Sequence, residues 1–249
     1  MIRHSTDPEQ LARVAADLFA ELVRQQVATG GCCAVVLAGG ETPRRTYQLL
    51  AREPWRSSIP WDRLQFFWGD ERCVPANDPR SNQLMARTAL LDRLALTSEQ
   101  LHPIRSDLPA GLAAEAYQTE LQRFFGNKPP RFDLVLLGLG DDGHTASLLP
   151  GSAALAEQVR WTAVTRRPEE PFDRVTLTAP LINQAKRILF LVAGAAKAAV
   201  LRHLLEADEP PYPARLIRPV DGELHWLVDR EAAALLKRSI AAVPGDGLC

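Results

Sequence analysis

Residues 132–151, FDLVLLGLGDDGHTASLLPG, limit the fold more than any other stretch of this chain. Phe132 and Leu134–Leu137 form an apolar run broken only by Asp133. A strand of that composition has no polar alternate positions, so it needs cover on both faces, as in a parallel sheet between helices. Gly138, Gly140 and Gly143 then let the backbone turn tightly and pass close to a ligand. Packed into the turn are Asp141, Asp142, His144, Thr145 and Ser147. Ligands of open α/β sheets bind outside the carboxyl ends of the strands, which makes this loop a candidate active site. A histidine held there is placed for proton transfer near neutral pH.

The same strand-then-helix grammar recurs along the chain. Asp7 as N-cap and Pro8 at N1 open a helix that carries Leu11, Val14, Ala15, Leu18, Leu22 and Val23 at helical spacing and ends at Gly30–Gly31. Ala34–Ala38 reads as a buried strand, followed by Gly39–Gly40 and a helix with Thr42 as N-cap and Pro43 at N1, running to about Leu50. Leu64–Trp68 is the next strand, with Asp70, Glu71 and Arg72 in the turn beyond Gly69. Helices are expected over Ser81–Leu94, Ala110–Phe125, Ala195–Leu205 and Glu231–Arg238. Further strands are expected over 132–139, Trp161–Thr165, Val175–Thr178, Ile188–Val192 and Leu224–Val228, with Glu209–Pro213 a surface connection. This alternation predicts an α/β fold: a doubly wound, mostly parallel sheet with helices on both faces. With 249 residues, 46% of them apolar, the chain can bury such a core as one unit over 1–249.

Bulk properties narrow the partners. Lys and Arg total 29 against 30 Asp and Glu, so no nucleic-acid or membrane surface is expected from charge. Cys32, Cys33, Cys73 and Cys249 lack the spacing of a zinc site or a disulfide framework, which fits a reducing compartment. His4, Asp7, Glu9, Arg13 and Asp17 near the start exclude the apolar core of a signal peptide, and no apolar stretch reaches the length of a membrane span. The expectation is a cytoplasmic monomer without metal or cofactor.

Three strand ends carry polar clusters. Gly39-Gly40-Glu41-Thr42-Pro43 exposes backbone N–H groups at a helix start, where a phosphate is a natural guest. In Gly69-Asp70-Glu71-Arg72, the arginine can bind an anionic oxygen while a carboxylate orients a histidine or a substrate hydroxyl. The third cluster is Asp141–Ser147, whose His144 is the strongest proton-transfer candidate; His4, His102, His203 and His225 have no comparable setting. Arg174, at the head of RVTLT, and Lys197, in GAAK after ILFLVAG, are cations at strand or helix ends.

Taken in order, AGGETP, WGDERCVPANDPRSN, GLGDDGHTASLLPG, RVTLT and GAAK resemble the 6-phosphogluconolactonase family over about Ala34–Lys197. The resemblance implies a Rossmann-like fold shared with glucosamine-6-phosphate deaminases, and an enzyme that opens 6-phospho-D-glucono-1,5-lactone with water in the oxidative pentose phosphate pathway. Its partner is then a small sugar phosphate lactone. His144 would be the general base, oriented by Asp142 or Glu71, with the oxyanion steadied by glycine-turn N–H groups or Arg72. Gly39, Gly40, Thr42, Asp70, Arg174 and Lys197 would bind substrate and its phosphate; Ser147 as a nucleophile is left open. Two alternatives compete. Deaminases carry a phenylalanine-asparagine-glutamate-proline run after this turn and an aspartate-glutamate-tyrosine, where this chain has Ser147-Leu148-Leu149-Pro150 and Asp70-Glu71-Arg72. A sugar-responsive regulator's effector domain would follow a helix-turn-helix, and the chain opens directly on its first α/β unit.

Overall fold

The structure, a computed structural model, describes all residues except 30, 127, 208–211 and 238–249. Its elements follow in chain order as β1 (Ile2–Ser5), α1 (Pro8–Ala28), β2 (Cys33–Leu37), α2 (Glu41–Leu50), α3 (Trp55–Ser58), β3 (Leu64–Trp68), β4 (Asp70–Arg72) and α4 (Asn82–Ala89). Then come β5 (Leu101–His102), α5 (Ala110–Phe125), β6 (Leu134–Leu137), β7 (Thr162–Arg166), β8 (Asp173–Leu177), α6 (Ala179–Ile182), β9 (Arg187–Val192), α7 (Ala198–Glu206) and β10 (Glu223–Asp229).

Seven strands form one sheet in the order β1-β10-β9-β6-β2-β3-β5, and every pairing in it is parallel. From β2 the chain winds outward through β3 to β5, and from β6 it winds the other way through β9 to β10. The order reverses between β2 and β6, which is where such sheets leave a crevice beyond the strand ends. The central strands are buried at every position, as their unbroken apolar runs require. Asp133, the polar residue ahead of β6, is satisfied there: it accepts the Ala34 N–H (2.8 Å) and pairs with Lys186 (2.7 Å).

Two tyrosines fix the strand ends that face the crevice. The Tyr47 hydroxyl, on α2, accepts the N–H of Ala38 (2.9 Å) and donates to its carbonyl (3.0 Å). Tyr117, on α5, does the same with the N–H (3.0 Å) and carbonyl (2.9 Å) of Trp68. Both rings are fully buried, so each hydroxyl satisfies two backbone groups that have no water to turn to.

Several elements differ from the sequence expectation. Asp70–Arg72 is not a turn but a short strand in a second sheet, β4-β8-β7, paired antiparallel with β8 so that Arg72 lies opposite Arg174. Three residues are too few for a periodic pattern to announce a strand. α2 is capped by Gly40 rather than Thr42, without a side-chain cap. The helix expected over 81–94 stops at Ala89 and continues as a 3₁₀ turn over Leu91–Arg93, and the one expected from Ala195 begins with a 3₁₀ turn over Ala195–Lys197. Over 229–236, one backbone bond of four-residue span is followed by two of three-residue span, giving turns in place of a last helix. β1 and β5 were not expected; both are short edge strands. Gly30, Arg238 and most of Glu209–Pro213 lie outside the described residues. One apolar cluster includes residues of both sheets, such as Val36, Leu136, Val175 and Leu177.

Candidate active site

The crevice beyond β2 and β6 is a cleft of about 450 Å³. The turn after β2 lines it with Gly39, Gly40 and Thr42, and the turn after β6 with Gly138, Gly140, His144 and Ala146. Asp70 and Arg72 come from β4, Arg174 from β8, and Lys197 from the turn after β9. All the expected site residues except Asp142 and Glu71 therefore face one space, and Asp142 reaches it through His144.

The loop after β6 is closed on itself. Gly140 N–H donates to the His144 carbonyl (2.8 Å) and Gly143 N–H to the Gly140 carbonyl (3.0 Å), while Thr145 Oγ1 donates to the Gly138 carbonyl (2.8 Å). Inside this ring Asp142 Oδ1 sits 2.5 Å from His144 Nδ1 and also accepts the His144 backbone N–H (3.1 Å). The pair lies directly on the backbone of Gly140: a Cβ there would come within 1.9 Å of Nδ1 and 2.7 Å of Oδ1. Only glycine permits that approach. Ala146 takes a positive φ of 48°, a strained conformation for alanine that the surrounding bonds must hold.

Electrostatics fix the protonation pattern. Burial pushes the Asp142 carboxyl up, but its hydrogen bond and attraction to His144, with a contact from Arg167, outweigh burial and hold it at about 2. Burial lowers the proton affinity of His144; the Asp142 bond and charge raise it, and Arg167 lowers it again, leaving it below the ordinary 6.5. At neutral pH the pair is therefore a carboxylate and a neutral imidazole. The carboxylate accepts a hydrogen bond from Nδ1–H, which leaves Nε2 as the free basic nitrogen.

Glu71 has a different duty. It is fully buried and accepts hydrogen bonds from the N–H groups of Arg72, Asn82 and Gln83 (2.7–2.8 Å) and from Ser81 Oγ (2.9 Å). Its oxygens are taken up at the start of α4, so of the two candidate carboxylates it is Asp142 that holds the imidazole. Ser147 is likewise fully buried, donates to Asp70 Oδ2 (2.6 Å) and does not line the cleft, a setting that denies it access to a substrate. The N–H groups of Gly140 and Gly143 are consumed within the loop and cannot serve an oxyanion.

The cations differ in freedom. Arg174 is held bidentately by Glu170 (2.8 and 2.5 Å) and reaches Ser147 Oγ at 3.4 Å. Lys197 pairs with the exposed Asp141. Arg72 Nη1 donates to the Arg80 carbonyl (2.6 Å) and to Asn82 Oδ1 (2.7 Å). Three residues of the site were missed in the sequence. Arg45, one turn into α2, lines the cleft, and its place just after the glycine turn was a usable signal. Asn82 joins Arg72 to Asp70 and fills the space a Cβ on Gly39 would need, within 2.0 Å; it belongs to the SN pair of the quoted motif. Arg167 contacts the histidine pair from the β7–β8 connection and had no local signal. Among the described residues no group of three or more His, Cys, Asp or Glu could hold a metal ion, and no helix is long and apolar enough to cross a membrane.

Comparison with known proteins gives the chain's relatives. A family model described as glucosamine-6-phosphate isomerases/6-phosphogluconolactonase matches residues 6–226. The 6-phosphogluconolactonase of Synechocystis sp. is 43% identical over 225 residues, 86% of this chain and 89% of that protein. The human 6-phosphogluconolactonase is 39% identical over 234 residues, covering 88% of each. The solved structure of the 6-phosphogluconolactonase from Trypanosoma brucei superposes with a TM-score of 0.82 at 32% identity, over 94% of this chain and 98% of the other. A monomeric glucosamine-6-phosphate deaminase shares the fold, with a TM-score of 0.80 at 22% identity over 94% of this chain and 99% of the other. With a family match across most of its length and such relatives beside it, the chain belongs to the glucosamine-6-phosphate isomerase/6-phosphogluconolactonase family.

Proposed function

We propose that this protein hydrolyses 6-phospho-D-glucono-1,5-lactone to 6-phospho-D-gluconate, a step of the oxidative pentose phosphate pathway. The observation that carries the reading is a single neutral imidazole, tied through Nδ1 to an ionised Asp142, in the wall of a cleft also lined by cations. Lactone hydrolysis asks for that and little more. His144 Nε2 takes a proton as water adds to the C1 carbonyl, and the imidazolium then gives it to the ring oxygen as the C1–O bond breaks. The proton is borrowed and returned, and the product is an open-chain acid.

Arg72 supplies positive charge at the cleft wall as the carbonyl oxygen becomes anionic, while Asn82 and the Arg80 carbonyl hold its guanidinium. The phosphate sits against the start of α2, at Gly40–Thr42, whose N–H groups have no side-chain cap. Lys197 and Arg45 flank it; Lys197 exchanges the exposed Asp141 for the phosphate. Arg174, already chelated by Glu170, adds charge from deeper in the wall.

Glucosamine 6-phosphate deamination is the competing reading because it uses the same fold and the same phosphate anchor. It needs several proton transfers, one of them at carbon. At the positions after the histidine turn this chain has Leu148 and Leu149, both buried apolar side chains that transfer no proton. Purified protein should accelerate acid release from freshly prepared lactone above its spontaneous rate, and should release no ammonia from glucosamine 6-phosphate. Steady ammonia release without lactone acceleration would reverse the assignment.

A further inference from the structure

Arg167 stands in the connection between β7 and β8, in another sheet from the histidine loop, yet its Nη2 lies 2.9 Å from Asp142 Oδ2 and 2.9 Å from His144 Nδ1. Its side chain is 22% exposed, well sheltered for a loop arginine, and Nη1 lies 3.6 Å from Glu169. We propose that Arg167 is a positioning residue for the reaction, locking the Asp142 carboxylate against His144 and keeping the imidazole in its neutral, proton-accepting form. This rests on the reading of His144 as the base.

The geometry divides the labour on Asp142. Oδ1 takes both N–H groups of His144, from the ring and from the backbone, and Oδ2 is left for Arg167. With both oxygens held, the carboxylate cannot rotate away from the imidazole, and a guanidinium N–H suits the second oxygen because it is a fixed planar donor. The same placement puts a positive charge beside Nδ1. A positive charge on the ring is then opposed by Arg167 and favoured by Asp142 on its own loop and by Asp70 from β4. Arg72, Arg174, Lys197 and Arg45 line the other walls of the same cleft. Two consequences follow for catalysis. The base stays unprotonated into mildly acidic solution, and the imidazolium formed during attack is a stronger acid when it must protonate the ring oxygen.

The test separates charge from bulk. Arg167→Gln keeps an N–H donor and loses the charge; Arg167→Lys keeps the charge and loses the planar fork. The His144 ring proton is followed by NMR through a pH titration of the free protein, and kcat/KM is measured over the same range. In Arg167→Gln the titration midpoint should rise, and the acid limb of kcat/KM should rise with it; Arg167→Lys should return both close to wild type. At the high-pH plateau Arg167→Gln should keep kcat within about tenfold, because the base itself is intact. An unmoved midpoint in Arg167→Gln, or the same displacement in both variants, would overturn the proposal. The titration needs no substrate, so a protein inactive on the lactone would sink the functional reading while leaving this result to stand or fall separately.

Discussion

The two turns that meet at the crevice are built to opposite plans. The loop after β6 spends its polar groups on itself: Gly140 and Gly143 donate inward, Thr145 ties back to Gly138, and Asp142 fastens His144 at two points. The turn after β2 spends almost nothing. Gly40 caps α2 without a side chain, and Glu41 accepts from Arg44 and Arg45 on its own helix. A loop that must present one nitrogen in one orientation needs every rotation closed off. A turn that must receive an anion needs N–H groups left unmade until the ligand arrives. The self-bonded turn is thus the one for chemistry, and the open turn the one for binding.

Removing the base is the most severe way to try this division. His144→Ala should lower kcat by roughly a hundredfold or more, with a smaller change in KM. The measurement is the lactone-opening rate with the spontaneous rate subtracted. A kcat near wild type would place the chemistry elsewhere and end the comparison. The pH dependence of the unaltered protein sharpens the same point. The proton-free imidazole is the active form and its affinity for a proton is depressed, so kcat/KM should already be at its plateau at neutral pH. The midpoint of its acid limb should lie below 6.5, the ordinary histidine value.

The open turn should answer differently. Lys197→Ala removes a cation whose present partner, Asp141, is mostly exposed and loses little when left alone. The loss should appear mainly in KM or in the affinity for 6-phosphogluconate by calorimetry. A well-formed charge-assisted contact is worth about 1.5–3 kcal/mol, or roughly ten- to a hundredfold. Neutralising Arg174 should affect binding less, since Glu170 already engages it through Nε and Nη2. A drop in kcat as deep as that of His144→Ala, at unchanged affinity, would merge the two turns into one machine.

Much of this was legible because the decisive signals are local. Apolar runs ended by glycines gave the central strands, and Asp7–Pro8 gave the start of α1, where Asp7 accepts the Gln10 N–H (2.9 Å) as a cap should. The histidine and its aspartate stand two residues apart, so their pairing was within reach of a sequence reading. What was not legible depends on distant partners. Arg167 reaches His144 across 23 residues and between two sheets, through a contact that no spacing announces. β4 becomes a strand only because β8 arrives from a hundred residues later to pair with it. The choice between Asp142 and Glu71 turned on the same thing: both are acids at strand ends, and only the placement of α4 decides which one is already occupied.

Glu71 therefore gives the mildest test, and one with a different readout. Its carboxylate accepts three backbone N–H groups and the Ser81 hydroxyl, and through Arg72, Ser81, Asn82 and Gln83 it joins β4 to the start of α4. A glutamine of the same shape keeps one accepting oxygen and turns an NH₂ group toward donors, which leaves buried N–H groups facing one another. The expected cost is about 1–3 kcal/mol of stability, seen as a lower Tm or an earlier urea midpoint. Activity below the new transition should change far less than in His144→Ala, because Glu71 touches neither the cleft nor the imidazole. Some loss is expected even so, since Asn82 and Arg72 take their places from the same anchor. If Glu71→Gln instead abolished turnover in a protein of unaltered stability, the third strand end would have to be counted with the chemistry. The contrast between a self-bonded turn that reacts and an open turn that binds would then lose its simplicity.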